Sequence, residues 1–392
     1  MKKTTLGISQ TLILFFSQAL TLQVLFYPLV LLNLFSHLPK ILNNKKMIFG
    51  FFLIFIAAIS IYIRGASIPY AIILLRFYCG IILVYGAFIC NKNLQITYAA
   101  FWIVVLFVLY EAISLSLALT PFSYANFINA GIGHEIEGRM TLDANTRRTY
   151  GPAMNSSVSG SILAIIFFYI LIGNNQFLLF KNNNMLLLAG LFIAFVLCGS
   201  GTAMVVFACL SLIYIISIRK KNNKRISFFH FPKFMTLSMV LTLLLIIFGV
   251  FLNDFVAGVS SVKWNFNYVI NSINYKTFQV TVFDNYKILL FGSDLSGLGV
   301  ESAGGDFVML SFVYHFGLIY VLMFLAYLFY ICRPENRIFL FIGLISAFHY
   351  GTVFTLMGQV FFGALMAGSV LSKEFLQYRD KLSKSYTKQI EV

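Results

Sequence analysis

Charged residues are scarce in this chain. Only 10% of its 392 residues are Asp, Glu, Lys or Arg, whereas soluble proteins carry roughly 25%. Apolar residues make up 60% of the sequence and come in long blocks, which excludes a soluble fold. Blocks of this length also exclude a membrane β-barrel, whose strands alternate polar and apolar positions. The composition therefore predicts an all-α polytopic membrane protein, with a single integral membrane domain over residues 1–392.

Motifs for cofactors and metals are also missing. The cysteines lie inside apolar runs or at their ends, which excludes a disulfide framework and most zinc arrangements. They are Cys79, Cys90, Cys198, Cys209 and Cys332. The P-loop pattern GxxxxGK[ST] is absent, which argues against an ATP-driven pump. The net charge of +15 is explained by cytoplasmic Lys and Arg, so no nucleic-acid partner is expected.

The apolar runs predict about twelve transmembrane helices. The spans are 5–38, divided into two short helices, and 47–64, 68–90, 94–119, 156–173, 185–199, 201–218, 235–252, 307–331, 337–352 and 353–371. The positive-inside rule places most of the 28 basic residues in the cytoplasm. Both termini are then cytoplasmic, and two large loops, 120–155 and 253–306, are external (periplasmic).

The first external loop contains adjacent cations, Arg147 and Arg148, shortly before the next span. Arginine keeps its charge and presents a planar fork that fits phosphate oxygens, so the pair is suited to a lipid pyrophosphate. Tyr150 is suited to stacking on a sugar, and Gly151 with Pro152 predicts a turn. The alternative is a loop whose arginines pair with its own acidic residues and bind lipid phosphates without specificity.

Helix caps are predicted at two external positions. Asn155 or Ser156 is suited to cap the helix that follows the first loop, and Asp306 to cap the helix that follows the second. Asp306 would also face the external cavity, so it is a candidate general base, with His134 as the alternative. In the second loop, aromatic residues interleave with Lys276, a pattern that fits either a sugar-binding surface or a segment lying in the membrane interface.

Arg76, Glu111 and His315 are polar side chains that fall well inside predicted spans. Arg76 and Glu111 are at similar depth, and we expect a structural ion pair between them, with a substrate contact as the alternative. His315 is interpreted as a hydrogen-bonded packing residue, with catalytic acid–base chemistry as the alternative.

Three segments carry a resemblance to a known family. They are the run Arg148 to Asn155, the hairpin Gly199-Ser200-Gly201-Thr202, and the group Phe291-Gly292, Gly305-Asp306 and Phe316-Gly317. They resemble the Arg-x-x-Gly segment, the small-residue hairpin and the end of the second large loop of the bacterial O-antigen polymerase (Wzy) family, which is related to the O-antigen ligases.

The resemblance implies an inner-membrane glycosyltransferase that polymerises oligosaccharide units carried on undecaprenyl pyrophosphate, without cofactor or metal. Donor and acceptor are both lipid-linked, and membrane lipids, a chain-length regulator and a flippase are candidate partners. Arg148 inherits the contact with pyrophosphate, whereas Arg147, Tyr150, Gly151 and Lys276 are candidate substrate contacts.

Two other functions stay open. One is an O-antigen ligase, although ligases typically have His where this chain has Asp306. The other is a transporter of lipid-linked sugars, which would have pseudo-symmetric halves and polar sites at the membrane midplane.

Overall fold

The computed structural model describes residues 2–117, 119–124, 149–173, 182–221, 286–298, 308–347 and 350–370. These residues fold as helices without a β-strand, and we number the helices α1 to α15 in chain order. The predicted all-α class is therefore confirmed.

The described residues of the first half of the chain form a series of helices and helical turns. They are α1 (Lys2–Phe15), α2 (Gln23–Phe35), α3 (Leu38–Leu42), α4 (Lys45–Ile63), α5 (Ile68–Leu74), a π-helical turn (Leu75–Cys79), α6 (Gly80–Cys90), α7 (Tyr98–Ser116) and a 3₁₀ turn (Phe122–Tyr124). The predicted division of 5–38 into two helices is correct, and Thr21 lies between them with a φ of 61°.

The second half continues with helices that the structure describes in five ranges. They are α8 (Ser156–Gly173), α9 (Asn182–Cys198), α10 (Gly201–Lys221), α11 (Tyr286–Phe291), α12 (Val308–Phe316), α13 (Leu318–Ile331), a 3₁₀ turn (Pro334–Asn336), α14 (Arg337–Ser346) and α15 (Leu356–Ala367). Helix α8 packs on α9 and α10, α9 also packs on α7, and α15 packs on α6.

Among the described residues, three helical segments are long and apolar enough to cross a membrane. They are α4, the run Ile68–Cys90 and α7, and α12 with α13 makes a fourth if the bent pair counts as one span. These helices support the membrane class. The larger number of about twelve spans stays a prediction, and the predicted span 235–252 lies outside the described residues.

The span predicted over 307–331 is divided into two helices. Helices α12 and α13 meet at 118°, with Gly317 between them at a φ of 79°. A Cβ at Gly317 would collide with the carbonyl of Leu290 and the backbone of Phe291. Only glycine combines this backbone angle with so close a neighbour. The prediction of one continuous helix is wrong because this contact is made by a distant part of the chain.

Two more predicted spans are shorter than expected. The spans 337–352 and 353–371 correspond to α14, with 10 residues, and α15, with 12 residues. A straight crossing needs about 20 residues. The Thr355 hydroxyl starts α15 by accepting a hydrogen bond from Gly358 N at 3.2 Å, so the second helix begins three residues later than predicted.

The π-helical turn in the middle of Ile68–Cys90 is stabilised from outside its own helix. Gln359 is fully buried and donates to the carbonyls of Arg76 and Phe77 at 3.1 and 3.2 Å. The Tyr27 hydroxyl lies 2.7 Å from the same Arg76 carbonyl. A π turn disrupts the regular α-helical bonding pattern, and here side chains of α15 and α2 bond the carbonyls concerned.

Helix α4 has one face buried in the bundle and the opposite face exposed. Leu53, Ala57 and Ile61 on one face are buried, whereas Phe52 and Phe55 on the other are exposed. Large exposed aromatic rings on a helix of this length fit contact with lipid.

Candidate functional site

The carboxylate of Glu111 lies at the centre of a polar cluster beside the first predicted external loop. Glu111 is fully buried near the end of α7. One carboxylate oxygen accepts a hydrogen bond from the Ser123 hydroxyl at 2.8 Å, and the other accepts one from the backbone N–H of Gly151 at 2.7 Å. Glu111 therefore joins the segment before residues 125–148 to the segment after them.

The predicted ion pair between Arg76 and Glu111 is absent, although the structure describes both residues. Glu111 bonds Ser123 and Gly151 instead, and the Arg76 side chain is exposed on the π-helical turn. The depth of a residue in the membrane was the basis of the prediction. Depth does not say toward which neighbour a side chain points, and Glu111 faces Ser123 and Gly151, which lie later in the chain.

Gly151 has a geometry that other residues cannot adopt without strain. Its φ is +65°, and a Cβ built on it would lie 2.7 Å from both Cβ and Oγ of Ser159. The Ser159 hydroxyl donates to the Tyr150 carbonyl at 2.7 Å and accepts from Ala153 N at 3.1 Å. The predicted turn after Tyr150 is thus present, and Ser159 of α8 holds it closed.

Tyr150 packs against a second tyrosine. Its ring centroid is 5.0 Å from that of Tyr124 in an edge-to-face arrangement, and its backbone N–H donates to the Tyr124 hydroxyl at 3.4 Å. Tyr150 keeps part of its surface exposed. Stacking of this ring on a sugar stays a prediction.

The start of α8 is capped by Asn155. Its side-chain oxygen accepts from Ser157 N at 2.9 Å and Val158 N at 3.1 Å. Of the two residues predicted to cap this helix, the structure selects Asn155.

The small-residue hairpin lies against the same turn. The Ser200 hydroxyl donates to Ser157 Oγ at 2.8 Å, and Thr149 N donates to the Leu197 carbonyl at 3.2 Å. The hairpin itself turns at Gly199, with a φ of 53°. Two of the three segments on which the family resemblance depends are therefore neighbours, joined through Ser157, just after the first, and Leu197, just before the second.

In the third of these segments, Gly292 lies close to Gly317 and to the Arg64 guanidinium. Gly292 has a φ of +88°, and a Cβ there would lie 3.1 Å from Gly317 N and collide with the Arg64 guanidinium. Arg64 donates to the Ser293 carbonyl at 3.1 Å and accepts from Leu295 N at 2.8 Å.

Arg64 is a residue that the sequence reasoning missed. Among the described residues its guanidinium bonds only neutral oxygens, namely those of Ser293 and Ser60. An arginine at the predicted outer end of a span runs against the positive-inside distribution, and that signal could have indicated a special role. Asp294 lies next to Ser293, in the segment after α11. Hydrogen bonds from the Ser296 backbone N–H and hydroxyl hold the pKa of Asp294 below its usual value.

His315 is buried in α12 and bonded through both ring nitrogens. Nε2 lies 2.7 Å from the Tyr70 hydroxyl, and Nδ1 lies 2.6 Å from the Ser311 carbonyl. With 2% of its surface exposed, His315 has the contacts of the packing residue that the sequence predicted.

The remaining predicted site residues are not described. Asp306, His134, Arg147, Arg148 and Lys276 all lie outside the described residues, so their roles stay predictions. Among the residues that the structure does describe, no three His, Cys, Asp or Glu side chains are grouped closely enough to hold a metal ion.

No protein-family model, no curated protein and no solved structure matches this chain.

Proposed function

We propose that the chain is a membrane glycosyltransferase of the O-antigen polymerase (Wzy) type. It polymerises oligosaccharide repeat units carried on undecaprenyl pyrophosphate at the outer face of the bacterial inner membrane. The growing chain is transferred from its lipid to the non-reducing end of the next lipid-linked unit.

The observation that carries the proposal is the anchoring of Gly151 by Glu111. The N–H of Gly151 and the hydroxyl of Ser123 converge on one buried carboxylate, and Thr149 is bonded to Leu197. The residue that directly follows Arg148 is thus fixed to the bundle. A catalytic cation needs such support, because its stabilisation of a transition state depends on its being held in place beforehand.

The transfer exchanges one bond to the anomeric carbon for another. The acceptor hydroxyl oxygen bonds to the anomeric carbon of the donor, and the bond from that carbon to the phosphate oxygen breaks. Undecaprenyl pyrophosphate leaves with the electron pair, and Arg147 and Arg148 stabilise the charge that develops on it. The hydroxyl proton goes to a general base, for which the Asp306 carboxylate is our candidate and the His134 imidazole the alternative.

Other proposed contacts act on the sugar and on the second lipid carrier. Tyr150 stacks on a sugar ring, Gly151 shapes the turn beneath it, and Lys276 adds a cation from the second external loop. The proposal needs both termini in the cytoplasm and about twelve spans, so that loops 120–155 and 253–306 share the outer face.

Deletion and complementation in the native bacterium test the proposal. Loss of a polymerase leaves single repeat units on the lipopolysaccharide core, and restoring the gene returns a ladder of long chains. A deletion strain with no decorated core would instead indicate a ligase or a transporter, and an unchanged ladder would refute all three functions.

A transporter of lipid-linked sugars is the second candidate, favoured by the bend of 118° between α12 and α13. Broken helices line the substrate sites of many transporters. Purified chain in proteoliposomes separates the two functions, because a polymerase lengthens lipid-linked units supplied on its active face, whereas a transporter only moves them across the bilayer.

A further inference from the structure

A groove opens on the outer surface of the bundle between α4 and α13. Its cavity volume is about 470 Å³, and it is lined by Lys45, Phe49, Met323, Ala326, Tyr327 and Tyr330. This volume is within the range of roughly 300–1,000 Å³ that is usual for small-molecule sites. None of these lining residues is among those that we assign to glycosyl transfer.

The floor of the groove is rigid. The Tyr327 hydroxyl donates to the Lys46 carbonyl at 3.0 Å, and a Cβ on Gly50 would collide with that hydroxyl. The Phe49 and Tyr327 rings are 5.7 Å apart. Gly50 thus allows α4 to approach the tyrosine closely, so the depression is built into the packing of two helices.

The walls are apolar and open outward. Phe49, Met323 and Tyr330 are large and exposed, and Ala326 between them is small and also exposed. In a chain with this many apolar helices, the groove faces acyl chains. A small residue flanked by exposed rings leaves a channel that an acyl chain fills.

One end of the groove is positively charged. Lys45 is exposed at the start of α4, and the ammonium of Lys46 lies 5.2 Å from the centroid of the Tyr330 ring. No acidic residue lies in the first turn of α4 or among the residues that line the groove. The positive end of the helix dipole adds to the attraction for an anion.

We infer that this groove binds one anionic phospholipid, with an acyl chain against Ala326 and its phosphate at Lys45 and Lys46. Charge complementarity selects an anionic lipid over a zwitterionic one, because each lysine near the headgroup favours the negative lipid by about a factor of five. The inference does not depend on the proposed function, since it concerns only the lipid-facing surface.

Native mass spectrometry of the purified full chain tests this inference, with phosphatidylglycerol or phosphatidylcholine of identical acyl chains added in detergent. The unmodified chain should retain one phosphatidylglycerol, several-fold in excess of phosphatidylcholine. Lys45→Gln with Lys46→Gln should make retention of the two lipids equal. Lys92→Gln, which changes an exposed lysine in the turn after α6, should preserve the preference.

A second variant tests the proposed acyl-chain site at Ala326 without changing the charge of the protein. Ala326→Trp fills the groove and should reduce retention of phosphatidylglycerol at least fivefold. The control is Ala99→Trp, which changes an exposed alanine on a different helix, α7. This control should leave the retention of phosphatidylglycerol unchanged. Equal retention of the two lipids by the unmodified chain, or full retention by Ala326→Trp, would overturn the inference.

Discussion

The backbone N–H of Gly151 donates a 2.7 Å hydrogen bond to the carboxylate of Glu111, which is fully buried. The second carboxylate oxygen is bonded to Ser123. Burial of a charged or polar group is costly unless its hydrogen bonds are made. The two bonds therefore hold together the segments on either side of residues 125–148, at the point where our proposed pyrophosphate site begins.

Replacement of Glu111 by Gln should destabilise the protein. Glutamine keeps one acceptor oxygen but turns an NH₂ group toward one of the two donors, which leaves that donor unsatisfied. The expected loss is about 1–3 kcal/mol in the free energy of unfolding, measured by thermal unfolding in detergent. Ser123→Ala removes one donor only and should cost less. A Glu111→Gln protein as stable as the original would show that the carboxylate does not clamp the loop.

Replacement of Gly151 by Ala separates backbone strain from steric contact. The positive φ alone should cost about 1 kcal/mol, and the 2.7 Å approach of Ser159 adds to this. Gly297→Ala is the matched control, because Gly297 has a φ of +79° and no neighbour within 4 Å of an added Cβ.

The measurement is again the midpoint of thermal unfolding. We expect Gly151→Ala to unfold at a lower temperature than Gly297→Ala. Equal effects of the two glycine substitutions would mean that the Ser159 side chain moves away from the added Cβ without loss of stability.

Replacement of Gln359 by Met should loosen the π-helical turn. Methionine has a similar size but cannot donate to the Arg76 and Phe77 carbonyls, which Gln359 bonds at 3.1 and 3.2 Å. The loss should reach about 1–3 kcal/mol for each carbonyl left without a partner. Tyr27→Phe removes a single hydroxyl from the same site and should cost less, and the reverse order would contradict the role given to Gln359.

Replacement of Arg148 by Ala tests the proposed chemistry. Removal of one group that stabilises the leaving pyrophosphate should lower the rate of polymerisation by about 10²–10³, so long chains should disappear from the polysaccharide ladder. Arg148→Lys should recover only part of the activity, because lysine lacks the planar fork.

The controls for this experiment are membrane insertion and an unrelated cation. Arg148→Ala should insert in the membrane in normal amount, and Lys92→Ala should give a normal ladder. Full-length polymer from cells that carry Arg148→Ala would refute the proposed role of this arginine.

Several features of the fold were predictable from the sequence because they depend on local properties. The apolar run 68–90 coincides with the helical run Ile68–Cys90, and the predicted span 156–173 with Ser156–Gly173. Asn155 was one of two predicted caps for α8, since a side-chain oxygen before an apolar helix suits that position. The turn after Tyr150 was predicted from Gly151 and Pro152.

Contacts between distant segments were not predictable in this way. Arg76 and Glu111 were paired on depth alone, and the bend at Gly317 depends on the approach of Phe291. Arg64 was passed over, because its bonds to Ser293 and Leu295 join residues more than two hundred positions apart.

The sequence by itself determined the helical membrane class and the position of most helices, because hydropathy and proline or glycine punctuation act within a few residues. Tertiary structure alone decided that Glu111 accepts its hydrogen bonds from Gly151 and Ser123. The hydrogen-bond donors to a buried carboxylate come from whichever segments pack against it. Local sequence patterns do not show which segments those are.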